Sequence, residues 1–318
     1  LAIYTLHRDD ERPAAAPYLL AIGVVHAFVL VEVVFWLLQL RNGETSFAHR
    51  MPYHGNIRHF GYLGYLAAAA TAALTVLWPR LVLSSTLLCA AALFGIVQLG
   101  SRGALLGWSV FLLCGWALVP GRRRLLAWSL AATVIAFGLS WVAAQQGWLG
   151  SGSLIDRAQQ GELSGGTGRL SLWADVLRAI WQHPWWGYGP DGHRFLDCGQ
   201  PCGPYIARTS QPHNLLLQLL EEFGLIGTVL IGALALSLAR AQAAPRGWWA
   251  LAREQEVVAL LLAMLAGLLA FGLVDGPFYY PVPLLISATL SSLLLAAARR
   301  ASRSGNPHQT NEPVGHRS

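Results

Sequence analysis

Long blocks of apolar residues, separated by short polar connections, fill most of this chain of 318 residues. A block of about 20 apolar residues is long enough to cross a bilayer as an α-helix. The pattern predicts about eight such spans, near residues 16–40, 60–78, 81–99, 103–119, 124–145, 213–239, 254–274 and 278–297. We therefore expect an all-α integral membrane protein, built as a polytopic helical bundle.

Segment 146–212 interrupts this pattern with a long loop. It begins with a small, polar stretch, GSGSLIDRAQQGELSGGTG. Apolar residues then recur at a spacing of three or four, at Leu170, Trp173, Leu177, Ile180 and Trp181. That spacing predicts an amphipathic helix whose apolar face rests on lipid or on the bundle. Trp185 and Trp186 follow it and favour the membrane–water interface.

These features divide the chain into four predicted parts. Residues 1–145 hold the N-terminal transmembrane helices, and residues 146–212 form the loop with its amphipathic helix. Residues 213–300 hold the C-terminal transmembrane helices. Residues 301–318 are rich in Ser, Asn, Pro and His, which is typical of a disordered tail.

The arginines predict the orientation of the chain, which contains no lysine. They cluster in three places that share one side of the predicted bundle, at residues 122–124, 240–253 and 299–303. Positive residues mark the cytoplasmic face, so both termini are predicted to be cytoplasmic and segment 146–212 periplasmic or extracellular. This topology accounts for the net charge of +6, and no nucleic-acid partner is expected.

The four cysteines fall into two pairs. Cys89 and Cys114 lie within predicted spans, where a free thiol is a small apolar group. Cys198 and Cys202 lie in the external loop as CGQPC, where a disulfide is plausible in an oxidising compartment. A disulfide or free thiols are favoured over a metal site, since the spacing fits no set of metal ligands.

Three arginines are candidates for binding an anion on the external side. Arg169 follows the glycine-rich turn of Gly166 and Gly168 at a predicted helix start, where unpaired N–H groups and a planar guanidinium suit phosphate. Arg102 lies between two spans and is costly there unless it pairs or lines an aqueous cavity. Arg58 precedes the second span, and snorkelling to the headgroups is an equal alternative for it.

His213 opens a predicted span that also carries two glutamates, in the stretch SQPHNLLLQLLEEFGLIG. Pro212 suits a first helical turn, so we expect Ser210 or Gln211 to cap the helix. His213 then projects at the mouth of the bundle, where an imidazole can accept a proton near neutral pH.

The two glutamates, Glu221 and Glu222, lie roughly 12 Å deeper by helix rise, too far to orient His213. We expect them to pair within the bundle or stabilise its core. Gly224 and Gly227 are expected to let another helix approach closely.

Three stretches together resemble the O-antigen ligase and polymerase family of membrane glycosyltransferases. They are SRGALLG (101–107), GRLSLWADVLRAIWQHPWWGYGP (168–190) and PHNLLLQLLEEFGLIG (212–227), and the resemblance covers roughly residues 56–227. It implies a GT-C-like helical fold in a bacterial inner membrane. It also implies transfer of a glycan from an undecaprenyl-diphosphate-linked donor to a lipid A–core or glycan acceptor at the periplasmic face. No metal or other cofactor is implied.

The resemblance also assigns roles to individual residues. Arg102 and Arg169 match the arginines thought to hold the diphosphate, and His213 matches the histidine thought to act as base. We expect further substrate contacts from five residues: Arg58, Arg208, Gly166, Gly168 and Asn214. The family often has ten to twelve spans, against about eight here. An inverting single displacement is expected, because no carboxylate nucleophile is apparent beside His213.

Other functions remain open at this point. A polymerase that adds repeat units, or a protein O-glycosylating transferase, fits the same motifs. A polysaccharide or lipid transporter is the rival from another class, with Glu32 and Asp275 as its supporting charges. Paired broken helices in two related halves are typical of transporters, and the sequence has no such internal repeat.

Overall fold

The computed structural model describes residues 58–146, 154–159, 168–196, 209–243 and 247–304. Within these ranges the chain is helical and contains no strand, which confirms the all-α prediction. The helices are α1 (Arg58–Leu77), α2 (Val82–Gln98), α3 (Arg102–Leu118), α4 (Arg122–Gln145), α5 (Leu154–Gln159), α6 (Arg169–Gln182), α7 (Leu215–Ala243), α8 (Gly247–Glu254), α9 (Glu256–Gly272) and α10 (Pro281–Ser304).

Every predicted span after residue 60 coincides with one of these helices, whereas the predicted span 16–40 lies outside the described residues. Among the described residues, three helical segments are long and apolar enough to cross a membrane: Pro79–Gln98, Arg122–Gln145 and Leu215–Ala241. Four shorter apolar helices accompany them: Gly61–Leu77, Arg102–Leu118, Glu256–Gly272 and Pro283–Arg299. The number of spans stays a prediction.

Helices α1 and α9 form the centre of the bundle. Helix α1 is buried along residues 61–76, and its run of alanines lets neighbouring helices approach closely. The Tyr65 hydroxyl donates to the Met264 carbonyl of α9 at 2.7 Å. Helix α3 crosses α9 at Gly107, where an added Cβ would lie 2.8 Å from the Gly267 carbonyl oxygen. Small residues therefore set the helix spacing in the core.

Helix α7 is broken at Gly224, whose φ of 62° and ψ of −171° are not helical. Segment 184–189 lies against the break. Tyr188 and Gly189 donate their backbone N–H groups to the carbonyls of Glu221 and Glu222, both at 2.8 Å. The expectation that a helix packs here is wrong, because a loop occupies the space beside Gly224.

The same loop also accepts hydrogen bonds from the residues of α7 that follow the break. The N–H groups of Leu225 and Ile226 donate to the carbonyls of Pro184 at 2.8 Å and Trp185 at 3.3 Å. The loop thus replaces the hydrogen bonds that the break removes from α7.

Helix α6 has two apolar sides, and the bundle covers one of them. The buried side contains Leu172, Val176 and Ala179, which pack with Leu217 at the start of α7. The predicted apolar side is only partly open: Ile180 is buried and Trp173 packs against this cluster, whereas Leu170, Leu177 and Trp181 are exposed. The amphipathic helix is therefore present, and its open side is the one that suits lipid.

The two ends of the bundle are marked by different residues. At one end, which we call the arginine end, Arg122, Arg123 and Arg124 begin α4 and line a cleft with Glu256. At the opposite end, which we call the site end, α1, α3, α6 and α7 begin and α2 and α9 finish. Contacts between these termini define the candidate site. Cys89 and Cys114 are free thiols, as predicted.

Candidate active site

Loop 273–280, between α9 and α10, draws the termini of the site end together. Val274 would meet a Cβ added at Gly103 of α3, and the Val274 carbonyl accepts a hydrogen bond from Arg169 at the start of α6. Leu273 accepts one from the Asn214 side chain, just before α7, at 2.7 Å. Sequence positions far apart therefore meet at one loop.

Asp275 is the centre of this arrangement and is buried. Its Oδ1 accepts hydrogen bonds from the Tyr62 hydroxyl at 3.1 Å and from the Gly276 N–H at 2.9 Å. His213 Nδ1 lies 3.2 Å from Oδ1, and Arg169 Nη2 lies 3.0 Å from Oδ2. Burial alone raises the pKa of Asp275, but the His213 hydrogen bond and the Arg169 charge outweigh it and lower the pKa to about 2. Asp275 is therefore a carboxylate at neutral pH.

His213 is held by this carboxylate. Its side chain is buried, and its backbone has a φ of 54°, in the left-handed region. A non-glycine residue in that region is uncommon and persists only where the surroundings hold it. When Nδ1 carries the proton that it donates to Asp275, the lone pair of the ring is on Nε2. Nε2 is then the atom that can accept a proton.

The helix cap differs from the one predicted. Ser210 or Gln211 is expected to cap α7. The helix cannot include these residues, because His213 has a left-handed backbone and α7 begins only at Leu215. Asn214 is the cap instead, since its Oδ1 accepts from the Leu217 N–H at 3.1 Å. Both polar groups of the Asn214 side chain are thus used within the protein, and its predicted contact with substrate stays a prediction.

Arg169 faces the same carboxylate from the other side. It is the first residue of α6, after Gly168, whose φ of 71° suits glycine. The guanidinium is fixed by Asp275 and the Val274 carbonyl, while its Nε is buried and makes no hydrogen bond within the described residues. Both Nη groups are therefore held by the protein, and the guanidinium charge is fixed in place before an anion binds.

Arg102 lies at the same end as the first residue of α3. Its neighbours on both sides touch the site: Ser101 lies against Gly61 of α1, and Gly103 lies against Phe271 and Val274. Arg58 is the first residue of α1, also at this end. Arg208, Gly166, Cys198 and Cys202 lie outside the described residues, so their predicted roles stay predictions.

The glutamates of α7 do not contact His213. Glu221 is fully buried and bonds His193 Nδ1, with oxygen distances of 2.9 and 3.0 Å. His193 Nε2 lies 3.0 Å from the Thr209 hydroxyl, and Glu222 accepts from Gln218 at 3.1 Å. These contacts agree with a supporting role inside the protein.

Sequence reasoning missed the part that Asp275 plays, having counted it only as a transporter-like charge. The premise that no carboxylate lies beside His213 is wrong, because Asp275 Oδ1 lies 3.2 Å from His213 Nδ1. A signal was available in FGLVDGPFYYP, where one acidic residue sits between an apolar span and a Gly-Pro turn. Counting spans places that residue at the end where His213 lies.

Comparison with known proteins bears on the same residues. Residues 87–232 match the family model described as O-antigen ligase. A curated O-antigen ligase from Pseudomonas aeruginosa is 27% identical over 281 residues, covering 83% of this chain. The chain is therefore similar to the O-antigen ligases. This confirms the resemblance carried by the sequence motifs.

The O-antigen ligase match has defined limits. It includes Arg102, Arg169 and His213, whereas Asp275 lies beyond its last residue. The chain spans 63% of the length of the O-antigen ligase from Pseudomonas aeruginosa.

Proposed function

We propose that this protein is an O-antigen ligase-type glycosyltransferase of the bacterial inner membrane. It moves a glycan from undecaprenyl diphosphate to a lipid A–core acceptor, with its site end facing the periplasm. The observation that carries the proposal is the convergence of His213 and Arg169 on Asp275, within a chain similar to the O-antigen ligases.

The base in this proposal is His213. The acceptor hydroxyl gives its proton to Nε2 as its oxygen attacks the anomeric carbon of the donor sugar. Asp275 accepts the Nδ1–H hydrogen bond, orients the ring and stabilises the imidazolium that forms, as the carboxylate of a catalytic triad does. His213 is thereby fixed in one tautomer before substrate arrives.

The leaving group is the diphosphate of the carrier. The bond between the anomeric carbon and the diphosphate oxygen breaks as the new glycosidic bond forms, so the configuration inverts. The diphosphate keeps the electron pair and gains negative charge. Arg102 and Arg169 supply fixed positive charge for it, and preorganised charge of this kind needs little reorganisation during the reaction.

The net charge of the site changes as the reaction proceeds. With neutral His213, the charges of Asp275 and Arg169 cancel. When His213 takes the proton, the three groups become net positive at the moment when the diphosphate departs. Electrostatic attraction between opposite charges is strong where water is largely excluded.

The decisive experiment is transfer by purified protein in lipid nanodiscs, using a synthetic undecaprenyl-diphosphate-linked glycan and lipid A–core. We expect transfer by the wild type and a loss of about 10²- to 10⁴-fold in His213→Gln, the range for a general base. The wild-type rate should also fall on acidification, because the base must be neutral. His183→Gln is the matched control, since His183 is an exposed histidine at the end of α6.

Two results would contradict these assignments. No transfer by the wild type would remove the ligase proposal, and a wild-type rate in His213→Gln would remove the base. The surface glycan of a deletion strain separates the related alternatives. A core without any O-antigen indicates a ligase, whereas a core bearing one repeat unit indicates a polymerase.

A further inference from the structure

Arg194 lies outside the Asp275 cluster and is held by two neighbours. Its Nε donates to the Tyr279 hydroxyl at 2.7 Å and lies 3.2 Å from Asp191 Oδ1. The guanidinium carbon also lies 5.6 Å from the centre of the Tyr279 ring. Both fixed contacts use Nε. Within the described residues, Nη1 and Nη2 make no hydrogen bond or ion pair, and the side chain is 53% exposed.

Arg178 provides a contrast within the same chain. It also pairs with an aspartate three residues earlier, at 3.0 Å from Asp175, and is similarly exposed. Arg178 uses Nη1 for this pair, so one of its two Nη groups is bound by the protein. Arg194 is instead held at Nε, so neither Nη group has a partner among the described residues. Arg178 is thus an ordinary surface ion pair, whereas Arg194 presents two donors in a fixed plane.

The backbone that carries Arg194 is anchored firmly. Arg194 lies in the short helical turn Gly192–Phe195. The preceding residue, His193, is buried and bonded to Glu221 of α7. The side-chain partner Tyr279 belongs to the Asp275 loop, and its hydroxyl donates to Asp191 at 2.8 Å. Burial and this bond to Asp191 raise the pKa of Tyr279, so the hydroxyl keeps its proton at working pH.

A row of tyrosines connects Arg194 to the candidate site. The ring centres of Tyr279 and Tyr280 are 5.4 Å apart, and those of Tyr280 and Tyr62 are 5.9 Å apart. Tyr62 donates to Asp275, and Tyr280 accepts from the Gln211 amide two residues before His213. Arg194 therefore stands at the outer end of an aromatic path that ends at the Asp275 cluster.

We propose that Arg194 is a binding residue for a phosphate group of a substrate that occupies the His213 site. Two Nη donors in one plane match two phosphate oxygens, which is the geometry of bidentate recognition. The assignment of this phosphate to a substrate rests on the proposed transferase function. The phosphate belongs either to the donor diphosphate or to a phosphorylated acceptor.

The first test measures binding without activity. Inorganic pyrophosphate is titrated into the purified protein by calorimetry. We expect Arg194→Gln to weaken binding roughly 5- to 10-fold, as loss of a charge-assisted hydrogen-bond pair at an exposed site. Arg194→Lys should also weaken binding because a point charge lacks the fork, and Arg178→Gln should bind like the wild type. Unchanged melting temperatures establish that the variants are folded.

Equal pyrophosphate affinity in wild type and both Arg194 variants, or no binding to the wild type, would overturn the proposal. The second test identifies the source of the phosphate by steady-state transfer. A rise in KM for the donor alone assigns the diphosphate, and a rise for the acceptor alone assigns the acceptor phosphate. A loss confined to kcat contradicts a binding role. If the wild type transfers nothing, the transferase proposal fails while the pyrophosphate titration still decides the role of Arg194.

Discussion

Asp275 is the carboxylate that holds the charged groups of the site together. Its folded-state pKa of about 2 lies below the ordinary value of 3.8. A carboxyl group with a lowered pKa contributes stability that is fully present above its ordinary pKa. That contribution is lost as pH falls through the folded value. The protein should therefore lose this contribution to its stability as the pH falls from about 4 to about 2.

We predict that Asp275→Asn removes this pH-dependent part of the stability, about 2 kcal/mol by the size of the shift. Melting temperatures of wild type and variant, measured in detergent from pH 6 to pH 2, provide the test. The wild type should lose stability below pH 4 more steeply than Asp275→Asn. Transfer activity of the variant at neutral pH should also fall at least about 100-fold, because His213 loses its orienting carboxylate.

Asp175→Asn is the control for replacing a buried acid by an amide, since Asp175 is buried and pairs with Arg178 away from the site. Its transfer activity at neutral pH should stay near the wild-type level, in contrast to Asp275→Asn. Parallel melting profiles for wild type and Asp275→Asn would show that Asp275 does not carry this contribution.

At the scale of elements, the break in α7 depends on one glycine. The φ and ψ of Gly224 lie in a region that essentially only glycine occupies. A Cβ there would also collide with the backbone of Trp185 and Trp186. Any side chain must therefore displace segment 184–189 or straighten the helix.

We predict that Gly224→Ala destabilises the protein by at least about 1–3 kcal/mol, the cost of backbone strain, with further loss from the displaced loop bonds. Gly232→Ala is the matched control, because Gly232 lies on the same helix with no atom within 4 Å of an added Cβ. That change should be neutral or stabilising by about 1 kcal/mol. Melting in detergent provides the comparison, and equal stability of the two variants would contradict the role of the break.

Periodicity predicted the helices of this chain well, and it failed where the backbone leaves the regular path. The apolar pattern continues across Gly224 without a change of spacing, so nothing in it indicates a break. The partner loop is 35–40 residues away in sequence, beyond the reach of local rules. The link between His213 and Asp275 is likewise non-local, and it depends on how loop 273–280 turns after α9. The sequence therefore allowed a prediction of which residues lie at which end of the bundle. It did not allow a prediction of which side chains and backbone groups pair with each other.

At the scale of the whole molecule, the cluster of arginines at one end predicts the orientation. Arginines 122–124 lie at the end opposite to His213, Arg169 and Asp275. Positive residues are retained in the cytoplasm, so the site end should face the periplasm. Reporter fusions after Arg124 and after Arg300 should report cytoplasm, and fusions within 150–205 should report periplasm. A cytoplasmic signal from 150–205 would reverse the orientation and exclude a periplasmic transfer reaction.

The loop that closes the α7 break also constrains how the protein is made. In a membrane, a helix normally satisfies its own backbone before it meets other helices, since each unpaired group in lipid costs several kcal/mol. At Glu221, Glu222, Leu225 and Ile226, α7 lacks partners of its own and borrows them from residues 184–189. These residues leave the ribosome earlier than α7. When α7 enters the membrane, segment 184–189 is already available to pair with these groups. We therefore expect this segment to dock beside the break while α7 inserts, so that insertion is coupled to tertiary packing.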